Sequence, residues 1–410
     1  MSPGFRFVEF GGIACLLGLS ACGLLAASND ELMGGVTSPD ASVAESGDEN
    51  AGGSSGMDGS VDASEAGEET DSGMDGSAED GGDAGTDGYP ARPPDRPDGG
   101  AFPEQGKTLT FAVRRVFFGS VDPSTEVRTF EAWRQFGFDM DGFCTTATQS
   151  EQDDSGVCKK PPNATPLAQE DGSDCRDNTV GHLLADVMKF TPMDFERTLH
   201  VRSLSGTGQL LIFQLLDVGD GPDDPYAPAR LYVGAPTKFP PLWDGTDVIP
   251  VDEASVLQGL GEPKYRFENG YIRNNMWVSG DFAVSPAKIP LSLLGEVAET
   301  PMDTVTIAIQ LDDSNAQPRY GMMSAVLRLE DVVSTLERGI MEAMDCSQAL
   351  TDMALASYLV PGKDLASGGL SFVNPAMQCD CQSLGQFFEL ATIQPPVEVV
   401  AVEPYPPTCP

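Results

Sequence analysis

The segment Thr304-Val305-Thr306-Ile307-Ala308-Ile309-Gln310-Leu311 carries the clearest structural signal in this 410-residue chain. Apolar side chains alternate with small or polar ones along it: Val305, Ile307, Ile309 and Leu311 fall on one side, and Thr304, Thr306, Ala308 and Gln310 on the other. Successive side chains of a strand point to opposite faces of a sheet. We therefore predict a half-buried β-strand whose odd-numbered residues face the core.

Further strands and a few helices are predicted around this segment. Short apolar or alternating runs predict strands at residues 109–118, 209–216, 229–234, 271–279, 322–327 and 397–402. Apolar residues at helical spacing predict helices at 180–189, at 329–344 and in the segment after Cys346 that ends at Pro361. Strands dominate, so we predict a mainly β fold: a β-sandwich-like domain with a small C-terminal helical pair.

The N-terminus carries an export signal. Residues 10–28 form an uncharged apolar run that contains Leu19-Ser20-Ala21-Cys22. This tetrad resembles the lipobox of bacterial lipoproteins, in which the cysteine becomes the acylated N-terminus. We predict a signal peptide at residues 1–21 and a lipid anchor at Cys22, with an uncleaved membrane helix over 10–28 as the alternative. The residue after Cys22 is Gly23 and not Asp, which by resemblance to bacterial lipoprotein sorting implies the outer membrane, on its periplasmic face or at the cell surface.

The composition changes after the apolar run. Residues 29–100 contain 19 acidic residues, two basic residues (Arg92 and Arg96) and a single aromatic residue, Tyr89. A stretch with so little apolar surface and so much charge cannot offset the entropy cost of folding. We predict that residues 22–100 form a disordered acidic tether rich in Gly, Ser and Asp, and that residues 101–410 form a single folded exported domain.

The charge of the chain restricts its partners. The formal net charge is −39, and the acidic excess extends into the domain. A surface of this sign repels phosphates, which excludes nucleic acid as a natural partner. We expect a membrane partner through the lipid anchor, and a polysaccharide or protein at the cell surface. Trp243 and Trp277 are candidates for stacking on sugars, although core packing is the favoured role of both.

Two acidic loops form the candidate metal site. One is Asp139-Met140-Asp141-Gly142, and the other runs from Asp171 to Asn178. Calcium takes six to eight oxygen ligands, and clustered carboxylates on glycine-containing backbone suit it. We predict a calcium cofactor bound by Asp139, Asp141, Asp174 and Asp177. The alternative is that these residues serve only as turn formers.

The cysteines predict disulfides. Cysteines of exported proteins usually pair, and the folded part contains an early group and a late group: Cys144, Cys158 and Cys175, then Cys346, Cys379, Cys381 and Cys409. If the two acidic loops share one ion, Cys144 and Cys175 lie close enough to bridge. We predict that bridge, with Cys158 left over, and Cys346 to Cys379 in the late group. A bridge from Cys158 to Cys144 or Cys175 is the rival.

Several short motifs follow one another in an informative order: Trp133, Phe136-Gly137-Phe138-Asp139-Met140-Asp141-Gly142, Asp171-Gly172, Asp177-Asn178 and Cys379-Asp380. Across residues 105–395 this order resembles a group of uncharacterised myxobacterial lipoproteins that have an acidic low-complexity tether and a disulfide-containing exported domain. The group has Gly before the Asp-Asn pair, where this chain has Cys175 and Arg176. The resemblance implies location and anchoring, and it does not indicate an activity.

Motifs of common enzyme classes do not occur. The sequence contains no G-x-S-x-G, no H-E-x-x-H and no G-x-G-x-x-G, and it has only two histidines, His182 and His200. We predict no catalytic residue, and a capping or polar-face role for His182. The sequence thus favours a membrane-anchored lipoprotein that acts as a binding or structural module. The alternative is a secreted hydrolase that uses paired carboxylates.

Overall fold

The computed structural model describes residues 89–99, 106–146, 170–190, 195–281, 287–293, 296–328, 330–331 and 381–403. The strands β1 to β13 are, in chain order, Lys107–Phe117, Leu210–Val218, Ala229–Gly234, Val251–Asp252, Tyr265–Phe267, Tyr271–Arg273, Met276–Val278, Ala287–Leu293, Glu296–Met302, Thr304–Leu311, Pro318–Arg328, Cys381–Thr392 and Val399–Val400. The helices are α1 (Thr179–Phe190) and α2 (Phe195–Leu204), and 3₁₀ turns lie at Ala132–Gln135, Ser173–Cys175 and Glu253–Ser255. The predicted mainly β class is confirmed.

One large sheet contains eleven of these strands. Its order is β13-β4-β3-β2-β1-β12-β11-β10-β7-β6, and β5 pairs with β3 beside this path. All of these pairs are antiparallel except β13 with β4. The long strands β1, β11 and β12 lie at the centre, and β8 and β9 form a separate two-stranded ribbon.

The sheet curls until its β6 end meets the segment before β3. The backbones of Asp224 and Ile272 exchange two hydrogen bonds of 2.7 Å. Ala227 N donates to Gly270 O at 2.7 Å, and the indole of Trp277 donates to Ala227 O at the same distance. The two layers of this sandwich-like domain are therefore parts of one sheet, with the core between them.

Strand β10 is buried on both faces. Its odd-numbered residues pack in the main core, as predicted, together with Phe213, Phe388 and Trp277. Its other face is not half-exposed, because Ala308 packs in a second, outer cluster that includes Phe136 and Phe387. The chain that follows β1 covers this outer face. Because this covering segment lies more than 160 residues before β10, the local alternation could not reveal it.

Other predicted elements match to different degrees. The strand at 229–234 matches β3, and the helix at 180–189 is confirmed by α1. The strand at 271–279 splits into β6 and β7, because Asn274 and Asn275 adopt positive φ angles of 52° and 60° and form a tight hairpin turn. The predicted helical pair at 329–344 and after Cys346 lies almost wholly outside the described residues.

Residues 89–99 pack against the domain. The Tyr89 ring lies 4.6 Å from that of Tyr320, and the Tyr271 hydroxyl donates to Pro94 O at 2.7 Å. Arg96 donates to the carbonyl oxygens of Pro225 and Asn269 at 2.7 and 2.6 Å. The assignment of residues 89–99 to a solvated tether is wrong, because the single aromatic residue and both arginines of that stretch contact the folded domain. The predictions for residues 1–88 lie outside the described residues.

Candidate metal centre

Three buried apolar residues at alternate positions fix the first acidic loop to the outer face of the sheet. Phe136, Phe138 and Met140 are buried in the outer cluster on the sheet. Asp139 lies between Phe138 and Met140, and Asp141 follows Met140. Both aspartates are only partly buried. The alternation that directs the apolar side chains inward thus keeps the two carboxylates near the surface.

The second acidic loop is tied directly to the first. Asp177 N donates to Phe138 O at 3.1 Å, and Asp171 N donates to Thr145 O at 2.9 Å. A disulfide joins Cys144 and Cys175, the pair that the sequence analysis favoured, with their Cα atoms 4.6 Å apart. Cys158, Cys346 and Cys379 lie outside the described residues. We call residues 139–144 together with 171–177 the acidic junction.

Three carboxylates converge in the acidic junction. Asp139, Asp141 and Asp177 each place one oxygen within 4.8 Å of the others. Backbone N–H groups orient all three: Met140 N donates to Asp177 Oδ2 at 2.6 Å, Gly142 N to Asp139 Oδ1 at 2.6 Å, and Phe143 N to Asp141 Oδ1 at 2.7 Å. Asp177 is 1% exposed. The arrangement presents hard oxygen ligands of the type that calcium prefers.

The fourth predicted ligand, Asp174, lies apart from this group. It lies in the 3₁₀ turn Ser173–Cys175 with a positive φ of 55°, and its side chain is 70% exposed. Its carboxylate is 3.5 Å from Nη2 of Arg176. The prediction relied on the short sequence distance between Asp174 and Asp177 and did not anticipate this turn. The turn directs the Asp174 side chain into solvent.

Two arginines, which the sequence analysis did not assign to the site, contact the acidic junction. Arg92 donates to Asp139 Oδ2 from Nε and Nη2 at 3.2 and 3.0 Å. Arg176 is 1% exposed and donates to the carbonyl oxygens of Tyr89, Pro90 and Gly137. Burial lowers the pKa of Arg176. A cation entering the junction would share Asp139 with Arg92.

Helix α1 begins at the edge of the acidic junction. Asn178 Oδ1 accepts from Gly181 N at 3.0 Å and from Gly385 N at 2.7 Å, which fixes the start of the helix to β12. One turn later His182 stacks on Trp133, with ring centroids 3.9 Å apart. Burial lowers the pKa of His182. The histidine therefore packs on an aromatic ring, and its Nε2 lies 3.8 Å from Oδ2 of Asp186, one turn further along the helix.

The two tryptophans proposed for sugar stacking differ. Trp277 is fully buried in the main core, so it is not available to a ligand. Trp243 is partly buried against the cluster of Ile249 and Val251 on the outer side of β3.

No family model, curated protein or solved structure matches the chain. The resemblance to myxobacterial lipoproteins therefore stays a prediction. Within the described residues, no helix is long and apolar enough to cross a membrane.

Proposed function

We propose that the chain is a lipoprotein held at the outer membrane through Cys22, and that its β domain is a binding or structural module stabilised by one calcium ion. The ligands in this proposal are Asp139, Asp141 and Asp177. The observation that carries it is the convergence of these three carboxylates within 4.8 Å in a junction tied by a disulfide.

Electrostatics supports a divalent ion at this position. Carboxylates this close disfavour each other's charge unless a cation lies beside them. Arg92 supplies one positive charge, through two hydrogen bonds to Asp139, against the three carboxylates of the site. Three carboxylates supply at most six oxygens, so backbone carbonyls or water would complete the shell of a calcium ion. Known extracellular calcium modules bind the ion with dissociation constants of about 10⁻⁴ to 10⁻³ M.

Calcium titration calorimetry on the full chain tests the site. We expect one binding event, lost in Asp177→Asn and Asp141→Asn and kept in the matched control Asp174→Asn. Arg92→Met removes the cation that competes for Asp139, so its calcium affinity should rise. Equal binding by the wild type and Asp177→Asn would place any calcium elsewhere and contradict the proposed site.

Membrane fractionation tests the anchor separately. Cys22→Ala should move the protein out of the membrane fraction, because the acyl chains supply the attachment. Full retention of this variant would favour the uncleaved helix at residues 10–28. The paired-carboxylate hydrolase stays a prediction that we do not advance, since nothing in the described part of the chain favours it.

A further inference from the structure

Exposed apolar side chains are concentrated on one pair of loops. Among the described residues, eight large apolar side chains are exposed, and four of them lie on two neighbouring segments: Phe239 (79%), Leu242 (73%), Val248 (49%) and Val397 (74%). The other four lie on four separate segments. We call residues 239–248 together with 394–397 the apolar platform. Single exposed apolar residues are ordinary, whereas a contiguous exposed apolar patch marks an interaction surface.

Asp247 holds the two segments of the platform together. Its Oδ1 accepts from Leu242 N at 2.8 Å, and its Oδ2 accepts from Trp243 N at 2.6 Å. Its backbone carbonyl accepts from Gln394 N at 2.8 Å. The side chain of Gln394 donates in turn to Gly245 O at 2.6 Å. Segments that are about 150 residues apart in sequence thus form one fixed surface.

The backbone of the platform is strained. Trp243 has a φ of 58°, a left-handed conformation that is unfavourable for a bulky side chain. Strain of this kind costs roughly 1–3 kcal/mol and is concentrated at functional positions. The proline pairs Pro240-Pro241 and Pro395-Pro396 also stiffen both segments. The exposed side chains are therefore presented by a rigid backbone.

The charges around the platform define the partner. Asp244 and Glu398 are exposed, and Lys238 is the single basic residue within the two segments and the residues next to them in sequence. Hydrogen bonds from Thr246 lower the pKa of Asp244, so this carboxylate is ionised at neutral pH. The chain as a whole has a net charge of −39, which disfavours an acidic protein, an anionic lipid surface and a second copy of itself. Three of the four exposed side chains are aliphatic, which disfavours sugar stacking.

We propose that the apolar platform docks a basic amphipathic segment of another protein. In this complex an apolar stripe of the partner covers Phe239, Leu242 and Val397, and its Lys or Arg side chains pair with Asp244 and Glu398. The inference rests on the binding role in the proposed function, and it names the class of partner.

A synthetic amphipathic helix of Leu and Lys is the probe. Its fluorescence anisotropy is followed on the full chain, in phosphatidylcholine nanodiscs if the protein is purified from membranes and in buffer if it is soluble. We expect saturable binding that weakens with salt and falls at least tenfold in Leu242→Ser/Val397→Ser. The matched control Val127→Ser/Val201→Ser changes two side chains that are each 58% exposed elsewhere, and should bind like the wild type.

The other outcomes separate the two proposals. Absence of saturable binding, or equal binding by the two double variants, contradicts the docking surface. Equal binding of a Leu and Glu helix contradicts the charge argument and with it the proposed partner class. Calcium affinity should be unchanged in Leu242→Ser/Val397→Ser, and peptide affinity should be unchanged in Asp177→Asn, so failure of either proposal is recognised independently.

Discussion

The acidic junction and the apolar platform both join distant segments on the outer side of the sheet, but they present opposite kinds of side chain. A disulfide and backbone hydrogen bonds hold the junction, and its carboxylates face one another above buried Phe138 and Met140. Hydrogen bonds of Gln394 to Asp247 O and Gly245 O join the platform, the Asp247 carboxylate orders the backbone at Leu242 and Trp243, and the apolar side chains face solvent. The comparison suggests that the junction is built to hold a small ion, and the platform to meet a larger partner.

Loss of the disulfide should give the largest effect. The Cys144–Cys175 bridge closes a loop with a sequence separation of 31. Loop-closure entropy then predicts that Cys144→Ser/Cys175→Ser lowers the free energy of unfolding by about 3.5 kcal/mol, measured by urea denaturation. Hydrogen exchange should rise in the junction and stay unchanged in the platform. Surface substitutions usually change the free energy of unfolding by about 0.5 kcal/mol or less. A change no larger than this in the double variant would contradict a structural role for the bridge.

Two deletions sharpen the boundary of the domain. Removal of residues 23–88 should leave the melting temperature unchanged, whereas removal of residues 23–99 should cost roughly 3 kcal/mol. The longer deletion takes away the carbonyl acceptors of buried Arg176 and the packing of Tyr89. Thermal denaturation of the pair measures the difference. If both deletions melt alike, the contacts of residues 89–99 contribute no stability.

Asp247→Ala tests the platform side of the comparison. The change removes the acceptor of two backbone N–H groups and should cost about 1–2 kcal/mol. It should also weaken the binding of the Leu and Lys helix, because Leu242 is no longer held outward. Asp244→Ala is the control for stability, since its side-chain hydrogen bonds reach only Thr246. If the Asp247→Ala protein is as stable as the wild type and binds the helix normally, the Asp247 carboxylate is not needed to order the platform.

The smallest expected effect concerns pH near the junction. Burial lowers the pKa of His182 below its ordinary 6.5, so protonation favours the unfolded chain. This contribution to stability is present above pH 6.5 and is lost as the pH falls towards the pKa of the folded state. His182→Phe keeps the stack on Trp133 and should flatten the stability profile between pH 7.5 and about 5.5. The same pH series on His200→Gln separates the contributions of the two histidines. If stability depends on pH as steeply in His182→Phe as in the wild type, His182 is not the group responsible.

Local patterns predicted what depends on neighbours in sequence. The alternation at Thr304–Leu311 identified β10, and the acidic loops indicated that Cys144 lies next to Cys175. Strand β12 was not predicted, because buried polar residues interrupt its apolar pattern: Gln382, Ser383 and Gln386.

Contacts between distant segments could not be predicted in this way. Arg92 reaches Asp139 across 47 residues, and Asp247 reaches Gln394 across about 150 residues. Asp174 was predicted as a ligand because it is close to Asp177 in sequence. The 3₁₀ turn Ser173–Cys175, which contains Asp174, directs its side chain away from the other carboxylates. The sequence therefore predicted the two arms of the junction but not the arginines that contact it.

Calcium-dependent melting of the full chain tests the central claim most directly. Calcium at about 100-fold excess over its dissociation constant should stabilise the folded state by about 2.7 kcal/mol relative to chelator, because the ligands converge only when the domain is folded. Asp177→Asn should abolish this difference, and Asp174→Asn should keep it. Identical melting of the wild type in calcium and in chelator would contradict the account and leave the aspartates of the junction as turn residues.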